Sequence, residues 1–169
     1  MKMDSRVFCK KKVSGFFPED GAIFMSNRST LKECFERSLF GLPDTFSGFV
    51  KNVKAGMILF LFEFEERKLY GVFKAITDGG MNIVPHAYAS SGKQYPSQVK
   101  FTTILHCDPL FEDEFCDVIR DNYFSTYKFN FGLCKDQKVL CGFSIQENMK
   151  FHTLFIRRER EKESGIFRL

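Results

Sequence analysis

The groups in this chain that could do chemistry are three histidines, six cysteines and 21 acidic residues. Their spacing argues against catalysis. His86, His106 and His152 have no histidine or glutamate partner at the helical spacing that lets two side chains grip one metal ion. His106 and Cys107 are adjacent, and neighbours in a strand point to opposite faces, so they cannot act together as base and nucleophile. The cysteines, at 9, 34, 107, 116, 134 and 141, form no CxxC pair and no zinc-type Cys/His spacing. They read as reduced thiols, with Cys34 and Cys116 acting as small apolar residues on helix faces. Glu112, Asp113, Glu114 and Asp117 cluster, but at a predicted helix start, where the dipole favours negative charge. The expectation is a protein that is not an enzyme, with no catalytic residue, metal site or cofactor.

Binding residues are easier to nominate. Thr77-Asp78-Gly79-Gly80-Met81-Asn82 lacks the lysine of a phosphate-binding loop and the glycine pattern of a dinucleotide fingerprint. It does follow a strand and open the longest irregular stretch, 81–97, and loops held by a rigid sheet often carry binding. Asp78, Asn82, His86 and Tyr88 are therefore candidates to line a ligand or peptide groove; otherwise they are turn formers and a packed lid. Ser26-Asn27-Arg28 is a second candidate. Arg28 at a helix start opposes the dipole, so it needs an acidic side chain or an anionic ligand. Lys100, on a strand wet on one face, is a third. If nucleic acid binds, Arg28, Lys74 and Lys100 are expected to converge on one cleft.

These residues need a scaffold. The chain is 169 residues long, 44% hydrophobic, with 22 phenylalanines and no tryptophan, enough for one aromatic-rich core. A net charge of +4 neither requires nor excludes an anionic partner. No apolar run approaches the roughly 18 residues of a membrane span, and the N-terminus lacks the apolar region of a secretory signal. A cytoplasmic or nuclear protein is expected.

Residues 1–20 read as a basic, poorly ordered leader carrying Lys10-Lys11-Lys12. Ala22–Met25 is a strand. Thr30, with Glu33 three residues on, predicts a helix cap, and Leu31, Cys34, Phe35 and Leu39 predict a buried stripe ending at Gly41 and Pro43. Phe46 to Val53 suggests a short second helix. Met57–Phe64 is a strand buried on both faces, paired through a charged tip with Leu69–Ile76, where Gly71 predicts a bulge. Val99, Phe101 and Thr103 alternate as a further strand. Asp108-Pro109 opens a helix with Phe111, Phe115, Val118 and Ile119 on its apolar face, and an extended segment follows at Tyr127–Leu133. Residues 141–169 read as an extension with a second apolar patch, Phe151–Ile156, and a charged tail, Arg157–Glu163. The fold class is α+β: a single compact domain with a strongly curved, mainly antiparallel sheet or small barrel flanked by helices.

Gly21–Pro43 (GAIFMSNRSTLKECFERSLFGLP), Leu59-Phe60-Leu61, Pro96-Ser97-Gln98-Val99 and Pro109-Leu110-Phe111-Glu112, in that order, closely resemble the plant development-and-cell-death (DCD) domain. The resemblance covers about residues 21–140. It implies a non-enzymatic regulatory or interaction module in stress response, development and programmed cell death, with protein partners. An exposed aromatic patch is then expected, around Phe40–Pro43 or Tyr88–Tyr95. Members close with a leucine-rich helix, from which Gln137–Ile145 departs. The element order also resembles the PUA-like modules, including YTH and EVE domains, which implies RNA or a modified nucleotide as the alternative ligand. YTH modules hold a methylated base in a tryptophan-containing cage, and this chain has no tryptophan.

Overall fold

Residues 13–147 are described by the computed structural model. The Lys10-Lys11-Lys12 run, Phe151–Ile156 and the charged tail lie outside them. The strands are β1 (Gly21–Ser26), β2 (Leu39–Leu42), β3 (Ile58–Glu63), β4 (Lys68–Ala75), β5 (Gly80–Met81), β6 (Ser97–Thr103), β7 (Leu110–Phe111), β8 (Tyr123–Ser125), β9 (Lys128–Phe129) and β10 (Gly132–Leu133). The helices are α1 (Arg28–Arg37), α2 (Ser47–Val50) and α3 (Glu112–Phe115), with a fourth, α4, over 135–147.

The main sheet runs β10-β1-β3-β4-β6-β2, with β5 on β6 and β7 on β4. Only the β1–β3 pair is parallel. The sheet curls into a half-barrel. Three strands separate β1 from β2 in the sheet order, which in a flat sheet is about 19 Å. Yet the rings of Phe24 and Phe40 stack with centroids 5.4 Å apart. This is the α+β architecture expected from the sequence.

Apolar runs occur because the central strands are buried on both faces. Inside the curl, Ala22 and Phe24 of β1 and Leu59 and Leu61 of β3 meet Phe40, Phe73 and Phe101. Outside it, Ile23, Phe60, Phe62 and Leu69 pack under Phe115, Ile119 and two residues of α4, Cys141 and Ile145. The helix α4 passes through position 140 without a break. The β3–β4 register slips between Leu59 and Leu61. This is the bulge that Gly71 predicted, and a Cβ there would lie 2.7 Å from the Phe60 ring.

Three local expectations are corrected. The cap of α1 is Asn27, whose side chain accepts from the Thr30 N–H, while Thr30 returns the bond from the N3 position. Helix α1 stops at Arg37, with Ser38 left-handed, and Leu39–Leu42 is a strand because pairing with β6 outcompetes helical continuation. Phe35 is accordingly part-exposed, at 38%. At Asp108-Pro109 the chain first pairs as β7 with β4, so α3 begins only at Glu112 and Phe111 points to solvent.

Candidate functional site

One end of the half-barrel is open. The inward positions of β1 are Ala22, Phe24 and then Ser26, a hydroxyl where the pattern calls for an apolar group. Above Ser26 lies a cleft of about 750 Å³. Its floor is Met25, Ser26, Thr30 and Cys34; one wall is Gly41, Leu42 and Pro43 with Tyr88 and Tyr95 of the long loop. The opposite wall is Phe46 and Phe131, and the rim is Phe64 with Phe124, Tyr127 and Lys128 of the β8–β9 hairpin.

The floor holds an unpaired polar group. Ser26 is 4% exposed, and its Oγ has no hydrogen-bond partner among the described residues. An orphan buried hydroxyl costs about 1–3 kcal/mol, so it invites an explanation. Its polar neighbours are already occupied: Asn27 Oδ1 accepts from Thr30 N at 2.9 Å and from Ser29 Oγ at 2.7 Å.

The walls are fixed from behind. Tyr88 is 1% exposed, left-handed at φ 65°, and donates its hydroxyl to the Leu39 carbonyl, with the Cys34 sulfur 3.3 Å from the same oxygen. Burial pushes the Cys34 thiol up to about 11, so it is neutral at physiological pH. Gly41 is required beside it, since a Cβ there would approach Tyr88 Cε2 at 2.8 Å. On the rim, the buried Glu63 carboxylate accepts from the backbone N–H groups of Glu65 and Glu66, which holds the β3–β4 tip and Phe64 in place.

Of the nominated residues, Ser26, Asn27 and Tyr88 meet in this cleft. Asn82 and His86, both left-handed, line an adjoining groove of about 600 Å³ that shares Lys93, Gln94 and Tyr95 with it. Arg28, Asp78 and Lys100 line neither. Arg28 found its acidic partners internally, Glu66 at 3.4 Å and Glu65 at 4.0 Å. Asp78 Oδ1 accepts from Ala55 N, and the Lys100 N–H donates to Thr77 Oγ1. The expected convergence of Arg28, Lys74 and Lys100 does not occur. Arg28 sits by the Glu63 end of β3, whereas Lys74 pairs with Ile58 at the other end, about 17 Å along the strand.

Cationic side chains at the cleft are instead Arg67, Lys93 and Lys128, and among the described residues its lining includes no aspartate, glutamate or histidine. The expected aromatic patch is also displaced. Phe40, Leu42 and Tyr88 are buried, and the exposed rings at the cleft are Phe64, Phe124 and Tyr127. In the sequence Phe64 reads as the end of a buried strand, and Phe124 and Tyr127 lie on a hairpin too short to show a pattern; the one signal was an aromatic cluster, Tyr123-Phe124 and Tyr127, among turn residues. Among the described residues no group of three histidine, cysteine or acidic side chains could hold a metal ion, and no helix is long and apolar enough to cross a membrane.

A family profile described as the development and cell death domain matches residues 20–141. The chain belongs to this family. The DCD domain here is 38% identical over 103 residues to the B2 protein of Daucus carota, covering 59% of this chain and 50% of that one. It is 36% identical to the DCD domain-containing protein NRP-B of Glycine max, covering 59% of this chain and 31% of the relative. The DCD chain thus spans half or less of the length of these relatives. Its fold is similar to solved YTH domains, which are PUA-like. The Mmi1 YTH domain in its complex with RNA aligns with a TM-score of 0.59 at 14% identity, covering 85% of this chain and 86% of that one. The Pho92 YTH domain in complex with m6A aligns at 0.51 and 13%, covering 75% and 85%.

Proposed function

We propose that this DCD domain is a non-enzymatic recognition module whose cleft receives an unpaired base of single-stranded RNA. The observation that carries the reading is the orphan Ser26 Oγ on the floor of an aromatic-walled cleft. A flat heterocycle would stack against Phe and Tyr and, with a small shift of the floor that uncovers the Oγ, offer Ser26 the partner it lacks. Lys93 and Lys128, with no acidic group among the described lining residues, suit a phosphate backbone. With no carboxylate or imidazole among the lining residues, the cleft has no obvious general base. The YTH domains that share the fold at a TM-score above 0.5 include ones solved with RNA and with m6A.

A protein partner is the second reading, favoured by the exposure of Phe64, Phe124 and Tyr127 at 45%, 57% and 71%. Under either reading the module acts in the cytoplasm or nucleus, in the development and cell-death roles that the family name implies and the stress role that the sequence resemblance implies. Fluorescence anisotropy with short single-stranded RNAs across a salt series tests the first. Binding that weakens steadily with salt and is lost in Phe64→Ala supports it; flat anisotropy at low salt overturns it and leaves the protein reading.

A further inference from the structure

Tyr127, at the tip of the β8–β9 hairpin, is 71% exposed, yet its ring is not loose. The Arg67 guanidinium lies over it, 5.8 Å from the centroid, and Arg67 Nη2 donates to the Tyr127 carbonyl at 3.1 Å. Arg67 is itself locked. Its Nε and Nη2 donate to the two Glu112 oxygens at 2.7 and 2.6 Å, and its guanidinium also covers the Phe62 ring at 4.7 Å. The Tyr123 hydroxyl donates to Glu112 from the other side at 2.6 Å. Burial opposes ionisation of Glu112, but the bonds from Arg67 and Tyr123 outweigh it and hold the carboxyl below its usual range. One face of Tyr127 is thus backed by a fixed cation, and most of the ring remains open to solvent. The next residue, Lys128, is exposed and has no carboxylate partner among the described residues.

We propose that Tyr127 is a stacking platform for the nucleotide next to the one in the cleft, with Lys128 taking a phosphate between them. The inference rests on the RNA reading above and gives it a second site. A π face accepts any base, so this site adds affinity without sequence preference. The rigid backing from Arg67 keeps the ring in place before RNA arrives, which lowers the ordering cost of binding. Charge selects this occupant over an apolar protein face, because the hairpin offers an open ring beside a lysine with no carboxylate partner among the described residues.

The test uses the full chain with two probes: N6-methyladenosine nucleoside, followed by NMR titration, and a labelled single-stranded RNA octamer, followed by anisotropy. Tyr127→Ala is expected to weaken the octamer about 5- to 100-fold and the nucleoside, which meets Tyr127 only at the rim, by a much smaller factor. Tyr127→Trp retains octamer binding. Lys128→Ala lowers the slope of log affinity against log salt by about 0.7, the release expected for one phosphate contact on a single strand. An octamer that binds Tyr127→Ala as tightly as wild type overturns the platform while leaving the cleft reading intact. Equal losses for nucleoside and octamer also overturn it, since the ring would then be cleft wall. A wild-type protein that binds neither probe overturns both.

Discussion

The Glu33 carboxylate accepts the backbone N–H of Tyr88 at 2.8 Å, across 55 residues of sequence. The same oxygen accepts Arg37 Nε at 2.6 Å, so one turn of α1 anchors the loop that walls the cleft. Hydrogen bonds to charged groups contribute about 1.5–3 kcal/mol. Glu33→Ala is expected to lower stability by about 1–3 kcal/mol and to weaken ligand binding, with Glu33→Gln, which keeps an acceptor, losing less. Urea unfolding of the three proteins checks this.

Ser26→Ala separates folding from binding. It removes a buried hydroxyl that has no partner, so the free protein should melt at the same temperature or a few degrees higher. The proposed ligand loses its floor contact, and RNA affinity should fall about 5- to 20-fold, equivalent to about 1–2 kcal/mol. Equal affinity with a lower melting temperature would show that the hydroxyl serves the fold alone.

Gly41→Ala forces a methyl against Tyr88 Cε2 at 2.8 Å and the Tyr95 carbonyl at 3.1 Å. Overpacking of this kind costs about 1–3 kcal/mol. Gly48→Ala, in α2 with nothing within 4 Å of the new Cβ, is expected to be neutral or to stabilise by up to about 1 kcal/mol. Paired thermal melts distinguish the two sites.

Alkali should destabilise the domain before acid-sensitive groups matter. Burial pushes Cys34 from an ordinary 9.0 to about 11, partly offset by the Tyr88 hydroxyl, and pushes Cys141 to about 12. Above pH 9 the unfolded thiols ionise while the folded ones stay protonated. The unfolded state then binds fewer protons, and stability falls through the window from about 9 to 11. Each thiol contributes up to about 1.4 kcal/mol per pH unit. The urea midpoint measured from pH 8 to 10.5 should drop, and less steeply in Cys141→Ser.

Helix α4 is expected to be required for folding. Ile145 is 0% exposed against Ile23 and Phe60 in the outer core, so Ile145→Ala should cost about 2–4 kcal/mol. Truncation after residue 140 should expose that core and abolish cooperative unfolding, as seen by circular dichroism.

Much of the fold was legible in the residues. Continuous apolar runs marked β1 and β3, because a strand buried on both faces leaves no room for polar side chains, and apolar residues at alternate positions marked β4 and β6. Gly71 marked the bulge. The boundaries that failed were set by long-range competition: β2 replaced the end of a predicted helix because its partner, β6, arrives about 60 residues later in the chain. For the site, the sequence supplied Ser26, Asn27 and Tyr88 as residue types beside a turn and in a loop. It could not reveal that the Ser26 hydroxyl would be left unpaired, or that Phe64, Tyr127 and Lys128, from two separate hairpins, would form one rim. The half-barrel's curl decided that, because it brings together side chains that local spacing keeps apart.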